Sequence, residues 1–210
     1  LFSHYAPDAK VKISSRTNAP DEHLFFPFEE VCACDILVLS VPMHAFNDVL
    51  QDTLPHLGTR TIVVDVATVK QHTVDVIQNC GKDIKYVATH PMFGPFSYEK
   101  KGGHLDGLRL VVCEYQLDEG MYALLSGWLH SLGIVVMEMT AGEHDKMLAE
   151  TLFLTHFIAQ SLIEGNFKRT KIDTVSFGFL MDAVESVKHD TKLFQDVYRY
   201  NPYCREVLEQ

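Results

Sequence analysis

An α/β fold is predicted: a doubly wound, mostly parallel sheet followed by an all-helical domain. Three observations carry this. Short β-rich runs alternate with helical stretches over the first 140 residues. Two of those runs, "DILVLSV" and "RTIVVDVA", are nearly continuous Val, Ile and Leu, the composition of strands covered on both faces. After Thr140 the strand signals stop and apolar residues recur only at helical intervals.

Taken in order, the expected strands are Lys10–Ser15, Asp35–Val41, Arg60–Ala67, Ile84–Thr89, Leu108–Glu114 and Ile134–Met139. Between them a helix runs from Met43 to Leu54, where Pro55 stops it, and another from Lys70 to Asn79 before Gly81. A third covers Leu117–Ser131, with Met121, Leu124, Leu125, Trp128, Leu129 and Leu132 on one stripe and Gly133 just past its end. At the boundary, Thr140 and Glu143 have the spacing of a capping box. A long helix should follow to Glu164, with Leu148, Leu152, His156, Ala159 and Ile163 on its apolar stripe. The chain thus divides into residues 1–140, an α/β domain, and residues 141–210, a helical domain.

Composition narrows the function classes. Of 210 residues, 47% are hydrophobic and 22% charged, which is globular and not disordered. A net charge of −10 argues against a nucleic-acid partner, which requires a basic surface. No apolar run reaches the length of a membrane span. The five cysteines, Cys32, Cys34, Cys80, Cys113 and Cys204, form no CxxC pair and read as reduced thiols of a cytoplasmic (or, in a plant, plastid) protein. No metal-ligand spacing occurs; His144 and His156 stand twelve positions apart, unlike common zinc patterns.

In an open parallel sheet, ligands bind outside the carboxyl ends of the strands. Three such ends are legible: Ser40, Val41 and Pro42; Ala67, Thr68, Val69 and Lys70; and "THPMFGP" over Thr89–Pro95. His90 has an ordinary reading as a satisfied structural ring. Its sharper reading is a general base, because Pro91 restricts the backbone and holds a near-neutral imidazole in one direction. Thr68 is either a strand-ending β-branched residue or a hydroxyl that relays a hydrogen bond. Ser15 and Arg16 end the first expected strand, where an acidic residue would select NAD and an arginine accommodates the 2′-phosphate of NADP. His156, on an apolar stripe, reads first as a core residue.

Several ordered motifs then carry a resemblance. "VATHPMFGP", "EMTAGEHDKMLAETLFLTHFIAQSL" and "YRYNPYCREVLEQ" resemble the TyrA family of prephenate and arogenate dehydrogenases, nearest its plant-type arogenate branch. "VDVATVK" is similar to the family's D-x-x-S-V-K segment, with Thr68 in the place of the serine, and "ISSR" to its nucleotide-selecting strand end. The resemblance covers nearly the whole chain. It implies a Rossmann-type domain, an NADP cofactor (NAD being possible), a cyclohexadienyl substrate and a homodimer formed through the helical half. It also implies that His90 accepts the proton of the ring hydroxyl with Thr68 beside it. Ser40, Val41 and Pro42, with Ser15 and Arg16, would hold the cofactor; His156 faces the substrate, and Arg199 meets a substrate carboxylate. The family's G-x-G-x-x-G turn does not occur in these residues, and "LFSHYA" resembles the helix that follows it, so an upstream strand is expected. Two alternatives stand beside this reading: a β-hydroxyacid or imine reductase of the same two-domain plan, and a non-catalytic dimeric module with a degenerate nucleotide fold.

Overall fold

The computed structural model describes residues 5–21 and 23–210; the opening "LFSH" of the helix expected at the start lies outside the described residues. Among the described residues five strands form one sheet in the order β1-β2-β3-β4-β5: Ile36–Leu39, Ile62–Asp65, Lys85–Pro91, Arg109–Gln116 and Val135–Glu138. Three of the four pairings are parallel, and β3 with β4 is antiparallel. The sheet class therefore agrees with the sequence reading, whereas the strand expected at Lys10–Ser15 does not join it. There Ile13 makes only an isolated parallel bridge to Phe25. An alternating polar and apolar run carries no neighbour of its own, so strand propensity alone does not produce a ladder.

From Phe28 on, the helices of the first half are α1 (Phe28–Cys32), α2 (Met43–Thr53), α3 (Lys70–Gln78), α4 (Pro95–Lys100) and α5 (Glu119–Ser131). Helix α2 passes into a 3₁₀ turn at Leu54–His56 that accommodates Pro55. The end of α5 is set by Gly133, whose φ of 77° is the left-handed conformation that glycine adopts most cheaply. One apolar layer gathers Leu37, Leu39, Phe46, Leu50, Val63, Val74 and Ile77. The other gathers Val87, Leu105, Leu110, Val112, Leu129 and Ile134. Each fully buried Leu, Val or Phe contributes about 1.5–3 kcal/mol.

The helical half begins as the sequence predicts. Thr140 caps α6 (Ala141–Leu148): its hydroxyl accepts from the Glu143 N–H, and the Thr140 N–H donates to the Glu143 carboxylate at 2.9 Å. The expected long helix is interrupted by a π turn at Ala149–Phe153 and resumes as α7 (Leu154–Glu164). Three further helices follow: α8 (Val175–Val187), α9 (Thr191–Tyr200) and α10 (Cys204–Glu209). Leu148, His156 and Ala159 of the expected stripe are buried, but Ile163 is 38% exposed. Leu162 packs instead against Ala159, Val184 and Val187, because α8 crosses that face.

A third apolar cluster fixes the site. Met43, Ala67 and Val69 from the strand ends pack with Leu148, Ala149, Phe153, Val197 and Cys204 from the helices. The carboxyl ends of β1 and β2 are thereby roofed by α6, the π turn and α9.

Candidate active site

Two features converge at the carboxyl ends of the strands. The first is a cleft of about 410 Å³ lined by Ser40, Val41, Pro42, Met43 and His44 after β1, Val66, Ala67 and Thr68 after β2, and Lys192, Leu193 and Asp196 of α9. It brings together five residues that the sequence places at strand ends: Ser40, Val41, Pro42, Ala67 and Thr68. His44 Nδ1 lies 2.9 Å from an oxygen of Asp196, so the cleft is closed on one side by a contact between the two halves of the chain.

The second is a buried polar line that joins the end of β3 to α6 and the start of α3. His90 is the penultimate residue of β3 and 6% exposed. A register shift in the β3–β4 ladder falls between Ala88 and Thr89, where Cys113 is an extra residue on β4. Such a bulge re-aims the side chains beside it. The Nδ1 of His90 stands 2.9 Å from Nε2 of His144, and the His144 Nδ1 stands 2.8 Å from Oδ1 of Asp145. Asp145 accepts at both oxygens: Oδ1 from the Lys70 N–H and Oδ2 from the Gln71 N–H, each at 2.8 Å. It therefore caps the N-terminus of α3 from another helix, the end of a helix that favours an anion. Asn201 holds the same residue in turn, donating to the Asp145 carbonyl at 2.7 Å.

Below this line, Lys70 and Asp65 form an ion pair with neither side chain exposed. The Lys70 ammonium also donates to the Thr89 carbonyl at 2.7 Å, and the Thr73 hydroxyl to Asp65 at 2.5 Å. The Thr89 hydroxyl donates to the Asp65 carbonyl. The ends of β2 and β3 are thus tied together by a satisfied buried network. Burial, then the neighbouring His144 and Lys70, push the His90 pKa well below its ordinary value of 6.5. The ring is neutral at pH 7 and able to accept a proton.

The remaining expected residues lie apart from this line. Among the described residues no hydrogen bond joins Thr68 to His90; Thr68 belongs to the cleft. The Nδ1 of His156 faces the Leu152 carbonyl at 2.8 Å, while its buried Nε2 has no hydrogen-bond partner and lies 3.7 Å from Asp190. Arg199 is exposed, with its guanidinium 5.4 Å from the Tyr200 ring. It shares a face of α9 with Lys192 and Asp196 by helical spacing. Arg16 is exposed and Ser15 bonds Thr17; neither is among the residues that line the cleft. His144, Asp145, Lys70 and Lys192 carry the new geometry. For the first two, the adjacency "EHD" in the resembling motif was the available signal; nothing in the spacing paired them with His90, fifty-four positions away.

Residues 8–106 match the family model described as the nucleotide-binding domain of prephenate dehydrogenase. The chain is 30% identical to arogenate dehydrogenase 1, chloroplastic, of Arabidopsis thaliana, across all of this chain and 34% of that protein. It is 26% identical to cyclohexadienyl dehydrogenase of Zymomonas mobilis, across 86% of this chain and 65% of that protein. The chain therefore spans about a third of the plant relative and somewhat under two thirds of the bacterial one. Among solved structures, prephenate dehydrogenase from Aquifex aeolicus in complex with hydroxyphenyl propionate and NAD+ shares the fold with a TM-score of 0.68 at 20% identity, over 89% of this chain and 69% of that one. Synechocystis arogenate dehydrogenase does so with a TM-score of 0.61 at 19% identity, over 86% and 68%.

Proposed function

The chain belongs to the TyrA family of prephenate and arogenate dehydrogenases, and from that premise we propose that it serves an oxidoreductase of tyrosine biosynthesis, acting on arogenate or prephenate. The observation that carries the reading is a neutral, buried His90 held at the carboxyl end of β3, the strand paired with β2, whose own carboxyl end lines the cleft that the family's nucleotide-binding domain would use. The β-hydroxyacid and imine reductase readings are not favoured, because the curated relatives that match across most of the chain are named arogenate and cyclohexadienyl dehydrogenases.

The cleft fits a nicotinamide: Val41, Pro42, Met43, Val66, Ala67 and Leu193 give it apolar walls, Ser40 and Thr68 add hydroxyls at the strand ends, and His44, Lys192 and Asp196 complete the lining. When bound there, the nicotinamide supplies the hydride acceptor. Ser40, Val41 and Pro42 would hold it, and Arg16 with Ser15, in a segment free of acidic side chains, supports NADP over NAD. His90 takes the proton of the ring hydroxyl as the C–H electron pair departs and the C–O double bond forms. Carbon dioxide then leaves, its C–C bond electrons enter the ring, and the resulting phenolate oxygen recovers a proton. Thr68 orients the hydroxyl. The substrate carboxylate meets cations of α9: Lys192 lines the cleft, and Arg199 shares its helix face by spacing; the Nε2 of His156, which has no hydrogen-bond partner and lies 3.7 Å from Asp190, supports a polar contact to substrate.

The protein is read as a homodimer. Ile172, Val175, Phe167 and Phe179 of the helical half are 59–89% exposed, more apolar surface than a monomer of this size leaves open without purpose. A monomeric mass by light scattering would overturn this. No helix among the described residues is long and apolar enough to cross a membrane. Free cysteines and a chloroplastic relative support a cytoplasmic or plastid site.

The deciding experiment assays both substrates with both nicotinamide cofactors and follows reduced cofactor together with carbon dioxide. Formation of both products supports the reading; reduced cofactor without carbon dioxide would indicate a different dehydrogenase.

A further inference from the structure

The site leaves a chemical problem. Burial, His144 and Lys70 all oppose a charge on His90, yet a general base must hold the proton that it takes. We propose that His144 and Asp145 are positioning residues that fix the tautomer of His90, with the lone pair on Nε2, and that receive the transferred charge one ring further from the reacting oxygen. This rests on reading His90 as the base.

The hydrogen-bond directions follow from groups that cannot reverse. The Lys70 and Gln71 main-chain N–H groups are obligate donors, so both oxygens of Asp145 act as acceptors. His144 Nδ1, 2.8 Å from Oδ1, must then carry a proton and donate it. In a neutral His144 the other nitrogen, Nε2, holds only a lone pair, so at 2.9 Å it accepts from His90 Nδ1–H. A neutral His90 protonated at Nδ1 has an unprotonated Nε2. The position of one carboxylate in α6, set by the N-terminus of α3, thereby determines which nitrogen two rings away is basic.

The same line moves charge. When Nε2 of His90 takes the alcohol proton, its Nδ1 proton passes to Nε2 of His144. His90 returns to neutrality, now with Nε2–H, and the cation sits on His144 against the Asp145 carboxylate. No electron pair leaves the imidazoles, and one proton enters as another moves inward. When the phenolate forms, the two transfers reverse and His90 Nε2 returns a proton to oxygen. The network needs no added oxidant or base beyond the reaction itself.

The test is nitrogen NMR of the chain labelled with ¹⁵N-histidine, with His90 signals identified by their loss in His90→Asn. Wild type should show a protonated Nδ1 and a lone-pair Nε2 on His90, and a protonated Nδ1 on His144. His144→Leu should leave His90 as a mixture of tautomers, and His144→Gln, which offers an amide oxygen at similar reach, should restore the single form. In the active enzyme, His144→Leu should lower kcat roughly 10²-fold, the lower range for general-base effects, with KM little changed, and His144→Gln should recover part of it. A wild-type His90 carrying Nε2–H, or a tautomer indifferent to His144→Leu, overturns the proposal. Should His144→Leu fail to fold, the wild-type spectrum still decides. Absence of dehydrogenase activity with every substrate would instead sink the functional reading, and leave the tautomer result standing by itself.

Discussion

The imidazoles of His90 and His144, fifty-four residues apart in the chain, meet edge to face with 2.9 Å between Nδ1 and Nε2. One ring belongs to the sheet and the other to the first helix beyond it. The contact therefore makes the competence of the base depend on how the helical half seats on the strand ends.

Replacement of His90 by Asn should leave substrate binding within a few-fold and lower kcat by roughly 10²–10⁴. Steady-state kinetics alongside substrate binding by calorimetry check this. An unchanged kcat removes His90 from the chemistry.

The pH profile has a definite sign. The pKa of His90 lies well below 6.5, first because of burial and then because His144 and Lys70 face it. The base is deprotonated throughout the neutral range, so kcat/KM should hold level as pH falls to about 6.5 and decline only below it. Stability shares the direction: above 6.5 both folded and unfolded His90 are neutral. Below that, only the unfolded chain takes up the proton, so folding free energy falls as pH drops. An acid limb centred at or above 6.5 contradicts the burial argument.

Lys70→Met should destabilise the fold by about 3–5 kcal/mol, because it leaves the Asp65 carboxylate buried without its partner. The double variant with Asp65→Leu should recover much of that loss. Chemical denaturation of the two variants and wild type measures it; equal stability of Lys70→Met and wild type would show that the pair is solvated in solution.

Thr140→Ala removes the hydroxyl that accepts from the Glu143 N–H and should cost about 1 kcal/mol, with little effect on kinetics. Gly133→Ala should cost more than that, since φ is 77° and a Cβ would stand 2.9 Å from the Asp106 Cα. Thermal unfolding of both variants ranks them.

Much of this molecule was legible in its residues because the relevant physics is local. The β-branched runs at Ile36–Leu39 and Ile62–Asp65, the capping box at Thr140 and Glu143, and the glycine stop at Gly133 each depend on neighbours within a few positions. Where strand propensity needed a partner, as at Lys10–Ser15, the local signal misled, since a ladder is a property of two segments. The strand ends Ser40–Pro42 and Thr68 share one cleft because parallel strands expose their carboxyl ends on one edge, a consequence already fixed by the fold class. His90 could be singled out by its chemistry and the proline behind it. What determines its tautomer could not: the direction of that hydrogen bond is set by Asp145, whose oxygens are committed by two main-chain amides of α3. That arrangement exists only once helices far apart in sequence pack together and exclude water from the polar groups between them.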